Sequence, residues 1–108
     1  MSEESNPLGI IPRGIRWTGV VAFHDGMLNI AGDRKPLVDA GVEEGTIVIV
    51  KDGERATYQS TVRFRVNTAY VRIPQYLHSL YQRGDAVTVW IIPLPVKAYK
   101  RGSRVVNP

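Results

Sequence analysis

A mainly β fold is predicted for this chain of 108 residues, with one or two short helices, built as duplicated ββαβ units that close one small barrel. Three observations predict it. Short β-branched runs alternate with Gly-containing turn dipeptides, each half carries one Pro-initiated helical signal, and the two halves superpose on each other.

The first copy opens with the apolar run Gly19 to Phe23, turns at His24-Asp25-Gly26, and returns through Met27 to Ile30. Asp-Gly supplies the positive φ that a tight hairpin turn needs. Pro36 sits in the first turn of a short helix with Leu37, Ala40 and Gly41 at helical spacing, and Glu43-Glu44-Gly45 leads into a strand from Thr46 to Lys51. Asp52-Gly53 ends the copy with another turn.

The second copy begins at Ser60. Val62, Phe64 and Val66 alternate with Arg63 and Arg65, the period-two pattern of a half-buried strand. After a turn at Asn67, a strand runs from Tyr70 to Ile73. Pro74 then opens a helix whose stripe Ile73, Tyr76, Leu77, Leu80 and Tyr81 is expected to pack inward. Gly84 stops it, and Ala86 to Ile92 forms an apolar strand with Trp90 read as buried, before Pro93 and Pro95 end sheet pairing. The expected organisation is a flexible lead over 1–15, a single barrel domain over 16–96 with copies at about 19–52 and 60–93, and a basic tail over 97–108.

Composition narrows the function classes. Hydrophobic residues make up 44% and charged residues 22%, an ordinary globular balance. No apolar run reaches the roughly 18 residues of a membrane helix, and Met1 to Asn6 is polar and acidic, unlike a signal peptide, so a cytoplasmic protein without a membrane partner is expected. The absence of cysteine removes disulfides, thiolate zinc sites and cysteine nucleophiles. The net charge of +4 is unevenly placed: eight of the ten acids precede Glu54, while nine of the fourteen Lys and Arg follow it. Such asymmetry suits a polyanionic partner, because clustered cations displace the counterions condensed on phosphates. A merely soluble basic surface would look the same.

The copies align with Ile30 on Ile73 and Gly45 on Gly84, the second having a shorter link between helix and last strand. Neither unit can bury its apolar face alone, whereas two related by a pseudo-twofold can close a barrel. Val71-Arg72-Ile73-Pro74-Gln75-Tyr76-Leu77 followed by Arg83-Gly84-Asp85-Ala86-Val87-Thr88-Val89 resembles the AbrB/SpoVT pattern of strand, Ile-Pro, short helix, Gly-Asp and strand. The first copy is similar but weaker, with Ala31 where the pattern has proline. The resemblance implies a swapped-hairpin barrel, formed by one chain as in two-copy relatives resembling MraZ. The duplication is similar as well to double-psi barrels such as the N-terminal subdomain of VAT-type AAA ATPases.

The same resemblance implies a non-enzymatic DNA-binding protein, a transcriptional regulator or architectural protein, contacting double-stranded DNA through Arg63, Arg65, Arg72 and Arg83. Lys97, Lys100, Arg101 and Arg104 around Tyr99 compose an arm suited to tracking phosphates. Arg63 and Arg65 are expected to face solvent, free to meet phosphate. The first copy's hairpin holds no arginine at matching positions. Two other readings stay open: a double-psi-type adaptor holding a protein partner between its halves, and an antitoxin resembling MazE. A homodimer is open too. Signals for catalysis are thin: His24-Asp25 sits in a turn chosen for backbone reasons, His78 reads as a surface residue, and no Gly-rich phosphate loop occurs. No cofactor or metal site is expected.

Overall fold

A computed structural model describes residues 14–53 and 55–97. Six strands form a closed antiparallel barrel: β1 (Ile15–His24), β2 (Met27–Asp33), β3 (Thr46–Asp52), β4 (Ala56–Phe64), β5 (Thr68–Arg72) and β6 (Ala86–Lys97). A short helix α1 (Lys35–Asp39) links β2 to β3, and a 3-10 helix (Gln75–Leu80) links β5 to β6. The mainly β architecture with two short helices is therefore the one the sequence predicts.

Around the ring the strands run β1-β2-β5-β4-β3-β6. Exchanging β1, β2 and β3 for β4, β5 and β6 returns the same ring with the same neighbours, so the topology has the twofold character expected of a duplicated unit. The residue register agrees. Aligning Ile30 with Ile73 also aligns Asn29 with Arg72, and those two residues face each other across β2 and β5. Aligning Gly45 with Gly84 also aligns Lys51 with Trp90, and those two face each other across β3 and β6. A residue can face its own equivalent only on the pseudo-twofold axis. The axis thus enters the barrel at Asn29/Arg72 and leaves, on the opposite side of the ring, at Lys51/Trp90.

Alternation fills the interior. Trp17 and Val21 of β1, Ile30 of β2, Val48 and Val50 of β3, Val62 of β4, Val71 of β5, and Val87, Val89 and Ile91 of β6 are all buried, together with Leu37 from α1. The β1–β2 turn places Asp25 and Gly26 at φ 56° and 78°, the positive values a type I′ hairpin requires, so the Asp-Gly signal is used as expected. Gly19 and Gly32 face each other across the same hairpin and make room for their neighbours. A β-carbon on Gly32 would lie 2.7 Å from the Thr18 carbonyl oxygen and 2.7 Å from the Trp17 ring, whose Nε1–H donates to Asp33 O at 2.8 Å. Gly32→Ala is expected to destabilise the fold by about 1–3 kcal/mol in chemical unfolding, since the obstructing carbonyl is backbone and cannot swing aside.

Four expectations are corrected. The segment after Pro74 is a six-residue 3-10 helix, and only part of its stripe packs inward: Ile73 and Tyr81 are buried and Leu77 packs against the core, whereas Tyr76 is 76% and Leu80 46% exposed. Three residues per turn over so short a span cannot keep an α-helical stripe on one face. Trp90 is 49% exposed, because the alternation that buries Val89 and Ile91 turns it outward. Pro93 and Pro95 do not end β6, which pairs Pro93 with Val48 and, past a register shift, Lys97 with Thr46. Strand β4 ends at Phe64, leaving Val66 at 84% exposure between β4 and β5.

Candidate nucleic-acid interface

On the outer face of β2, β5 and β4, alternation puts Arg72 and Tyr70 of β5 beside Arg63 of β4, opposite the buried Val71 and Val62. Arg65 follows the end of β4. Its backbone N–H donates to Thr68 O at 2.7 Å, and its carbonyl accepts from Arg34 Nη1 at 2.6 Å while the Arg34 guanidinium lies 4.9 Å above the Phe64 ring. The hairpin that presents Arg65 is thereby held from below. Arg63, Arg65 and Arg72 line one pocket of about 240 Å³, together with His24, Asp25, Asn29, Glu44, Phe64 and Tyr70.

Three of the arginines predicted from sequence are therefore brought together. Arg83 is not among them: its guanidinium lies 6.0 Å from the Phe23 ring, and Phe23 faces away from His24 along β1. Lys97 closes β6, and Lys100, Arg101 and Arg104 lie outside the described residues.

The pocket's electrostatics are mixed. Arg63 is not free for phosphate, contrary to the expectation from sequence, because its Nε donates to Glu44 Oε2 at 2.7 Å. The other carboxylate oxygen of Glu44 accepts from the Phe64 N–H at 2.7 Å, tying the segment before β3 to the end of β4. Burial pushes the Glu44 carboxyl up, but the Phe64 N–H, the Arg63 hydrogen bond and the positive field of Arg63 and Arg65 outweigh it and hold the group below the usual carboxylate range. Arg65 Nη2 lies 3.3 Å from His24 Nε2, and His24 stacks on Tyr70 with ring centroids 4.6 Å apart and planes 2° from parallel. Arg72 has no acidic partner among the described residues.

Glu44, His24, Tyr70 and Asn29 carry no mark in the sequence that assigns them to this place. Asn29 is nonetheless within reach of the repeat register, which pairs it with Arg72. His24 and Asp25 are adjacent residues that could form an acid/base pair in principle; the turn brings His24 Nε2 to 3.5 Å from Asp25 Oδ2, but the His24 ring lies flat against Tyr70. His78 is not a surface residue: it is half-buried, with Nε2 2.8 Å from Ile73 O. Among the described residues no group of His, Asp or Glu is placed to hold a metal ion, and no helix is long and apolar enough to cross a membrane. No protein-family model, no curated protein and no solved structure matches the chain.

Proposed function

We propose that this chain is a non-enzymatic, AbrB-like DNA-binding protein that meets duplex phosphates on the outer face of β2, β5 and β4. The observation that carries this reading is the convergence of Arg63, Arg65 and Arg72 on one pocket, all three carried by the β4–β5 hairpin of the second copy. Arg65 and Arg72 are the principal phosphate contacts. Arg63, held by Glu44, shapes the wall between them. Guanidiniums suit phosphate because their forked donors match its oxygens.

With two principal phosphate contacts, affinity for duplex DNA is expected to fall about 12-fold between 50 and 200 mM salt. Replacing Arg65 and Arg72 together by Ala is expected to flatten the log–log salt slope by about 2, with little change in melting temperature because both side chains are exposed. A salt-independent affinity, or a double variant that binds like the parent, would overturn the reading.

The two carboxylates in the pocket, Glu44 and Asp25, favour one second reading: a protein-interaction adaptor whose partner presents charges of both signs. Nuclease treatment separates the two, since it abolishes capture through DNA and spares capture through protein.

A further inference from the structure

At the opposite exit of the pseudo-twofold axis, the outer face of β1, β6 and β3 carries one row of residues in register. Trp90 of β6 faces Arg16 of β1 on one side and Lys51 of β3 on the other, with Thr57 of β4 beyond Lys51. All four point outward, their sequence neighbours Trp17, Val50, Val89 and Ile91 being buried. Directly opposed residues on adjacent strands sit about 5 Å apart, so one aromatic ring stands between two cations. Neither Arg16 nor Lys51 has an acidic partner among the described residues. The indole is 49% exposed and rests partly against Gly14, where a β-carbon would lie 3.0 Å from its Cε3.

From this row we infer a second binding surface, for single-stranded nucleic acid, in which a base stacks on Trp90 while the phosphates on either side of it meet Arg16 and Lys51. Charge and the exposed ring both fit that ligand. Successive phosphates of an extended strand flank a base as the two cations flank the indole, and every base offers a π-face irrespective of sequence. A sheet surface holds the ring without a loop that must first be ordered. The inference extends the proposal that the protein binds polyanions, but it rests on different residues on the other side of the barrel.

The chain contains its own control, because Trp17 is only 2% exposed and Trp90 is the other tryptophan. Titrating the full-length protein with a thymidine oligonucleotide is expected to quench the Trp90 emission and leave that of Trp17. Trp90→Thr keeps a strand-forming side chain at an exposed position; it should melt close to the parent, lose the quenching, and bind the oligonucleotide at least about 5-fold more weakly, the effect of losing one stacked base. Arg16→Glu combined with Lys51→Glu retains the fluorophore and should weaken binding and flatten its salt dependence.

Oligonucleotide binding that is unaffected by both variants would overturn the inference. So would quenching that persists in the charge-reversed protein at full strength. If Arg65→Ala with Arg72→Ala removes duplex binding while the Trp90 variants leave single-strand binding intact, the arginine face stands and the tryptophan row fails. If only the Trp90 variants lose binding, the tryptophan row stands and the arginine face fails, and no binding of either nucleic acid removes both.

Discussion

Replacing Ile30 by Ala is expected to lower the unfolding free energy by about 3–5 kcal/mol and the melting midpoint by about 10 °C or more. Ile30 is completely buried, points between Val21 of β1 and Val71 of β5, and belongs to the hydrogen-bonded centre of the β2–β5 seam. Its Cγ2 sits 2.7 Å from where a β-carbon on Gly19 would lie. The isoleucine thus occupies space that a glycine leaves vacant, and truncating it opens a cavity beside a residue with no side chain to fill it. Backbone on both sides is fixed by ladder bonds, so collapse into the hole is resisted. Small domains are stable by about 5–15 kcal/mol, which makes the change large enough to follow by urea denaturation. A loss below about 1 kcal/mol would mean that the interior is not packed as described.

A pronounced loss of stability is expected when pH rises above 10. Tyr58 and Tyr81 lie beside Asp52 and Arg55: the Tyr81 hydroxyl donates to Asp52 Oδ2 at 2.6 Å, and the Arg55 guanidinium lies 4.9 Å over the Tyr81 ring. Burial pushes the Tyr58 hydroxyl up to about 12 from its ordinary 10, aided by the Asp52 charge and opposed by Tyr81 and Arg55. Tyr81 is pushed upward by burial and then by its hydrogen bond to Asp52. In the unfolded chain both phenols release their protons near pH 10, while in the folded chain they retain them. The unfolded state then binds fewer protons, so stability falls with rising pH.

For Tyr58 the loss accumulates between about pH 10 and 12 and amounts to about 2–3 kcal/mol, with Tyr81 adding in the same direction. Among the described residues the buried Tyr58 hydroxyl has no hydrogen-bond partner. Tyr58→Phe should therefore be neutral or mildly stabilising at pH 7 and should shallow the alkaline slope. Tyr81→Phe should destabilise at pH 7, because Asp52, itself buried, loses its donor. Thermal melts of the parent and both variants at pH 8 and pH 11 decide it; parallel curves for parent and Tyr58→Phe would rule out the buried phenol as the cause.

How much of this architecture is legible in the sequence depends on how local each signal is. The Asp25-Gly26 turn, the Pro36 helix start and the β-branched strands follow from residue-level preferences, and the repeat register is strong enough to anticipate which residues meet on the axis. The exposure of Trp90 escapes sequence reasoning because the run Ala86 to Ile92 is apolar almost throughout, which hides the alternation of Thr88 and Trp90 outward with Val87, Val89 and Ile91 inward. The stripe after Pro74 departs at Tyr76 and Leu80 for a different reason: its spacing matches an α-helix, but six residues wound as a 3-10 helix do not follow it.

At the arginine pocket the sequence reveals the cations and not their neighbours. Arg63 and Arg65 stand out by alternation with Val62 and Phe64 within one stretch, a local pattern. Glu44 reaches Arg63 from 19 residues away in sequence, through a carboxylate that also caps the Phe64 N–H. His24 meets Tyr70 only because the β1–β2 and β4–β5 hairpins lie side by side in the closed ring. Contacts of that kind depend on barrel closure, which no short window of sequence contains.

The axis that runs from Asn29/Arg72 to Lys51/Trp90 would impose a severe restriction on a barrel assembled from two identical chains. Residues on a true twofold must meet themselves, so an arginine there confronts an arginine and a tryptophan a tryptophan. Joining the halves in one polypeptide lifts that identity at the two places where it binds hardest. Here an uncharged amide stands opposite the guanidinium at one exit, and an ammonium stands opposite the indole at the other. A covalent duplicate can thus diverge first where a symmetric dimer cannot diverge at all.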